Sequence, residues 1–228
     1  MRIDELLLLT ADLPALRHFY GRVLGLPVEQ PRPDCLRVRV GFSRLTFRLA
    51  APGTAPFYHF AFSVPHNQLD AAHAWAGART ALLPFTDGRP IADFPNWLAR
   101  AFYFHDPAGN ILECIARQPL PNASAAPFSA AGLLGLSEAG LVVPDVPAAT
   151  ARISRDTAIT AFHRGPSRPD FAVLGDDQGL LVVSRLGRGW LPTSRPAEPH
   201  WLRVAGEQAG RPFRLEAAAG AGAEGPTP

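Results

Sequence analysis

IDELLLLTADLPALRHFYGRVLGL, residues 3–26, reads as a strand that hands directly to a helix. Residues 3–10 are almost continuously apolar and too short for a buried helix, which favours a strand. Asp12 then offers an N-cap acceptor, and Pro14 falls in the first turn, where its missing N–H costs nothing. Leu16, Phe19, Tyr20, Val23 and Leu24 recur at helical spacing, and Gly25 is a stop signal. The stretches that follow, CLRVRVGF (35–42) and RLTFRLA (44–50), alternate apolar with polar residues. Period two makes them strands with one face on a core and arginines on the other. The unit is β-α-β-β-β.

The unit then recurs. YHFAFSV (58–64) reads as a strand, NQLDAAHAWAGA (67–78) as a helix capped by His66 or Asn67, and LARAFYFHDPAGNILECIA (98–116) as strand, tight turn and strand. Residues 118–131, rich in Pro, Ala, Ser and Asn, form a linker, and a third copy follows over 132–216. Its register carries that reading: Glu138 precedes VPDVPA as Glu5 precedes TADLPA, which aligns Asp145 with Asp12. DDQGLLVV likewise aligns with DPAGNILE and puts Val183 opposite Glu113. PHWLRVAG (199–206) starts a truncated fourth copy, with His200 where His59 stands, and 217–228 reads as a disordered tail.

The composition limits what such a chain does. Among 228 residues, 47% are hydrophobic, ample for a core, and no apolar run approaches the length that spans a bilayer. Two cysteines are too few for a disulfide framework, so a cytoplasmic setting is expected. The basic residues are 22 arginines and no lysine, dispersed along the chain, which argues against nucleic-acid binding and removes Schiff-base chemistry. No phosphate-binding loop or nucleophile motif occurs.

Three polar residues stand on otherwise apolar strands: Glu5, His59 and Glu113, with intervals of 59 − 5 = 54 and 113 − 59 = 54. Alternation puts Glu5 on the side of Leu7 and Leu9, His59 with Ala61 and Ser63, and Glu113 with Ile111 and Ile115. Carboxylates on apolar faces need a cation or hydrogen bonds, and one imidazole with two carboxylates is a first coordination shell for a divalent metal.

The repeat, the helix signature ADLPALRHFYGRVLGL and the turn DPAGNILE resemble the vicinal oxygen chelate superfamily, which includes glyoxalase I, fosfomycin- and bleomycin-resistance proteins and extradiol dioxygenases. The resemblance implies an α+β fold in which modules 3–50 and 57–117 pair into a curved, cup-shaped mixed sheet with helices outside. It also implies one divalent ion (Mn, Fe, Ni, Zn or Mg) held by Glu5, His59 and Glu113. Glu5 departs from the histidine that many relatives carry in the first slot, and Thr46 or Arg48 stands where glyoxalase I has a fourth ligand. Glu113, Tyr103 and His105 are the expected catalytic groups, and Trp97, Arg100 and Tyr103 the expected substrate contacts. Glu138 and His200 repeat two ligand slots without the third and read as relics or hydrogen-bonding partners. The expected function is a lyase, isomerase or ring-cleaving enzyme for a small oxygen-rich or aromatic molecule; the third module cannot close a cup alone, so it is expected to pack on the first two modules or on a second subunit, which points to a homodimer. The alternative is a metal-free protein that sequesters a small molecule in an aromatic groove.

Overall fold

The computed structural model describes residues 1–217, so most of the expected tail (218–228) lies outside the described residues, and Ala217 itself ends a strand. The first repeat comprises β1 (Arg2–Thr10), α1 (Leu13–His18), β2 (Val28–Arg32), β3 (Cys35–Val40) and β4 (Ser43–Leu49). The second comprises β5 (His59–Ser63), α2 (Leu69–Gly77), the short β6 (Leu82–Leu83) and β7 (Ala92–Phe94), then β8 (Ala99–His105) and β9 (Ile111–Arg117). The third follows with β10 (Gly135–Val143), α3 (Val146–Thr157), β11 (Ser167–Arg168), β12 (Phe171–Asp176) and β13 (Gly179–Arg185). A two-stranded ribbon, β14 (Gly189–Trp190) and β15 (Arg195–Pro196), precedes the hairpin of β16 (Leu202–Gln208) and β17 (Arg211–Ala217), the fragmentary fourth copy.

Local chemistry sets these elements as the residues predict. Asp12 accepts a hydrogen bond from the Ala15 N–H at 2.9 Å, and Asp145 does the same for Ala148 at 2.9 Å, so the repeat alignment extends to the caps. The second helix differs: it starts after Gln68, while His66 and Asn67 instead tie down the segment expected to be a linker. His66 Nδ1 lies 2.9 Å from the Leu120 carbonyl, and Asn67 exchanges two hydrogen bonds with the Ser124 backbone. Between β8 and β9 the turn needs Gly109, whose φ of +77° is left-handed. Asp106 closes that turn by accepting from the Ala108 and Asn110 N–H groups and from Asn110 Nδ2.

Within each repeat the first strand runs parallel to the last, as in β1–β4, β5–β9 and β10–β13. Between repeats the pairing differs from the expected one. The first strand of the second repeat, β5, lies antiparallel to β10 of the third, not beside β1. β1 pairs along its length with β16 and touches β10 only through Ile3 and Leu136. The third repeat and the hairpin after it therefore pack on the first two modules within the chain. All the strands apart from the β14–β15 ribbon form one mixed sheet that neither closes nor curls strongly, with the helices on one face.

The two faces are chemically distinct, as period-two alternation requires. Phe60, Phe62, Phe102, Phe104, Leu112 and Cys114 pack under the helices in the main core. Ala61, Ala101, Tyr103, Ile111, Ile115 and Val182 point to the other face, where Trp190 covers them. The first two repeats are locked together by Tyr20, whose hydroxyl donates to Asp106 Oδ2 at 2.8 Å, both groups being buried. Tyr20→Phe removes that donor from a carboxylate that keeps three others. The expected loss is roughly 1.5–3 kcal/mol, read as a lower urea midpoint at unchanged slope; an unchanged midpoint would show the link to be idle.

Candidate metal centre

Three side chains converge on the face away from the helices. His59 from β5, Glu113 from β9 and Glu138 from β10 are buried, and one ligand atom from each lies within 4.8 Å of the others. His59 Nε2 is 3.6 Å from Glu113 Oε2. Glu138 reaches this point because β10 changes register against β5 between Leu136 and Glu138, an irregularity of the kind that re-aims a side chain. Gly140, two residues on, lets the strands and Trp190 close in: a Cβ there would stand 2.8 Å from the His59 carbonyl oxygen and 3.0 Å from the Trp190 ring.

Each ligand candidate has an outer partner. His59 Nδ1 is 3.1 Å from the Ile111 carbonyl, an acceptor only, so Nδ1 carries the proton and Nε2 presents a lone pair to Glu113. Burial lowers the His59 pKa to about 4, which keeps the ring neutral. Tyr103 hydrogen-bonds Glu113. Arg117, two positions beyond Ile115 on the same strand face, forms a fully buried ion pair with Glu138, leaves Nη1 unpartnered, and lies 5.7 Å from the centre of the Trp97 ring.

The donor set fits a divalent cation. A lone pair and a carboxylate oxygen facing each other at 3.6 Å attract only with a proton or a cation between them. Bonds of about 2.0–2.2 Å to one ion put ligand atoms up to ~4.3 Å apart, so side-chain shifts of about half an ångström would complete the shell. Val182 occupies the cavity wall on β13, the strand that would offer a fourth ligand, so positions stay open. The cavity above these groups is about 270 Å³, walled by Trp97, Tyr103, Phe171 and Trp190. Since the sheet is not curled, it is the β14–β15 ribbon, the turn at Phe94–Trp97 and the β11–β12 hairpin that enclose it.

The expected site residues divide accordingly. His59, Glu113, Tyr103 and Trp97 all border this cavity. Glu5 does not join them: it is one-third exposed, 3.8 Å from Arg44 and 3.4 Å from the Thr46 hydroxyl on the β1–β16 half of the sheet. Arg100 points to the helix face, 3.4 Å from Asp70, and His105 holds the turn through the Asn110 carbonyl at 3.0 Å. His200 packs against Phe57 and Tyr58, with Nε2 3.4 Å from Glu198. Glu138, expected to be a relic or a hydrogen-bonding partner, is the third member of the group and bonds Arg117, a partner the sequence reading missed. Its signal was its parity with Glu113.

Electrostatics follow from burial. Glu113 is pushed well above the ordinary carboxylate range by desolvation and then by the charge of Glu138, against the opposing pull of Arg117 and Tyr103. Glu138 is also raised by burial, against Arg117. A raised folded pKa contributes stability below the unfolded value, near 4.5, which is lost as pH rises through the folded value. His59 acts oppositely, and only between pH about 4 and 6.5. In the metal-free protein, stability should therefore fall as pH rises above about 6.5, where His59 no longer opposes the loss, and Glu113→Gln should flatten that fall by on the order of 1–3 kcal/mol. Urea unfolding at three pH values checks this, and parallel profiles for the two proteins would refute it.

No protein-family model matches the sequence, and no curated protein matches it. Solved structures do. A candidate dioxygenase from Bacillus subtilis superposes with a TM-score of 0.56 at 14% identity, covering 96% of this chain and 67% of its own. A glyoxalase I variant from Zea mays gives 0.52 at 16% identity over 86% of this chain and 72% of its own. A glyoxalase/bleomycin resistance protein/dioxygenase from Nocardioides gives 0.42 at 24% identity, covering 57% of this chain and 90% of that one. The fold of this chain is that of the vicinal oxygen chelate superfamily.

Proposed function

We propose that this chain is a metal-dependent enzyme of the glyoxalase and dioxygenase type, acting as a lyase, isomerase or ring-cleaving catalyst on a small oxygen-bearing molecule. The observation that carries the proposal is the His59 Nε2 lone pair turned toward Glu113 inside a buried cluster that also contains Glu138. These three residues would hold the cation, which when bound supplies Lewis acidity toward substrate oxygens. Tyr103 orients Glu113 and lines the cavity, where its hydroxyl would donate a proton to a substrate oxygen. The raised pKa of Glu113 belongs to the metal-free cluster, so taking up a cation there would release its proton. Trp97 and Trp190 exclude water from the apolar walls. His105 and Arg100 have no part in this reading, because neither borders the cavity.

One observation favours a second reading, a metal-free protein that sequesters a small molecule. Arg117 already neutralises Glu138, and the cavity is aromatic-walled. Metal content separates the two. The untagged protein is expected to bind about one divalent cation per chain, and His59→Ala, Glu113→Ala and Glu138→Ala to weaken it at least tenfold. Glu5→Ala should bind as the parent does. Elemental analysis after equilibration with Mn²⁺, Fe²⁺, Ni²⁺ or Zn²⁺ is the measurement, and a parent protein that holds none of them fits the sequestering reading instead.

A further inference from the structure

The cavity has opposite charges at its two ends. Its floor carries Glu113 and Glu138, both buried, while two arginines, Arg168 and Arg188, border its mouth. Floor and mouth do not neutralise each other, since the floor carboxylates have Tyr103 and Arg117 as partners and no ion pair joins them to the mouth arginines among the described residues. The mouth is also organised. Arg188 lies 4.3 Å above the Phe171 ring and 3.5 Å from Asp170, which fixes its guanidinium beside the opening. Arg168 is paired across the β11–β12 hairpin with the same Phe171, is exposed, and has no acidic partner among the described residues. Arg188 on the Phe171 ring and Arg168 opposite Phe171 in the strand register thus both border the cavity, with Asp170 the one carboxylate paired to either, a local excess of positive charge next to apolar walls.

We propose that Arg168 and Arg188 form an anion subsite, and that the ligand of this cavity is a small aromatic carboxylate with its anionic end at the mouth and its oxygen-bearing end at the floor. The proposal rests on the cavity assigned above and names the substrate class for it. Planar guanidiniums match a carboxylate through paired N–H donors, and Phe171, Trp97 and Trp190 offer faces to a flat ring. A cavity of about 270 Å³ lies just below the range of ~300–1,000 Å³ that accommodates drug-sized ligands, which favours a single ring. In metal-free protein the floor offers an anion no free cation, since Arg117 is paired with Glu138, so the carboxylate has only the mouth to choose.

The test uses 4-hydroxybenzoate and its neutral analogue 4-hydroxybenzamide, titrated calorimetrically into the chelator-dialysed full-length protein and, separately, into metal-equilibrated protein. The acid should bind at least tenfold more tightly than the amide. Raising salt from 0.05 to 0.5 M should weaken the acid alone. Arg168→Gln, an exposed position where folding is not at stake, should remove most of the preference, and Arg168→Gln with Arg188→Gln all of it. Equal affinity for acid and amide, undetectable binding of the acid, or an undiminished preference in the double variant would overturn the subsite. A protein that prefers the acid yet takes up no metal would leave the subsite standing and overturn the metal-dependent function; normal metal uptake without the preference would do the reverse.

Discussion

Two carboxylates are held on an apolar sheet face with one guanidinium to answer them, and the architecture around the cavity is shaped by that imbalance. Isolated charge in such a place costs several kcal/mol. Arg117 offsets one carboxylate from within the same buried layer, and Tyr103 hydrogen-bonds the other. What is left is a site that still favours a proton or a cation beside the neutral His59, and the cost is borne by the apolar core on the other face of the central strands β5, β9 and β10.

The pairing of β5 with β10 makes this arrangement available. His59 and Glu113 come from parallel neighbours within one repeat, so their proximity follows from local connectivity. Glu138 comes from a strand reached only after helix α2, the β8–β9 turn and the pinned segment 118–134. Gly140 explains why β10 and not β1 takes the position. The equivalent residue of β1 is Leu7, whose side chain would occupy the space where Gly140 admits Trp190 over His59. The ribbon carrying Trp190 is itself anchored by Arg195, which donates to the Gly109 carbonyl at 3.2 Å and stacks on Phe57. The lid and the turn leading into β9 are thereby connected.

Much of this was legible in the residues. The caps Asp12 and Asp145, the turn at Asp106–Asn110 and the alternation of Phe60 and Phe62 against His59 and Ala61 are local signals, set within a few positions by backbone geometry. They identified two of the three buried ligand candidates. The third was obscured because equal spacing along the chain says nothing about which first strands become neighbours. Glu5 and Glu138 occupy the same place in their repeats, and only long-range packing, expressed in Gly140 against Leu7, separates them. Arg117 was hidden differently: it shares parity with Glu113, yet an arginine ending a strand reads as a solvent-facing residue until β10 covers it. Sheet curvature was the weakest expectation, because it came from resemblance alone and no residue pattern required it.

The outer partners also decide what kind of ligand the site would favour. On the proposed function, a divalent cation (+2), Arg117 (+1) and two ionised carboxylates (−2) sum to +1 with His59 neutral, so an open position is electrostatically complete only when it holds an anionic oxygen. Without the cation the same groups sum to −1, and the raised pKa values of Glu113 and Glu138 show the cluster leaning toward a proton to reach neutrality. Arg117 therefore has consistent but different effects in the two states. It limits repulsion between the carboxylates when they are alone, and with a cation present it tilts the balance toward ligands that bring negative charge, matching the pair of guanidiniums at the cavity mouth. A lysine could supply the same charge. Its single ammonium could not at once pair with Glu138, reach Ser137 through a second nitrogen and lie near the Trp97 ring, as the Arg117 guanidinium does.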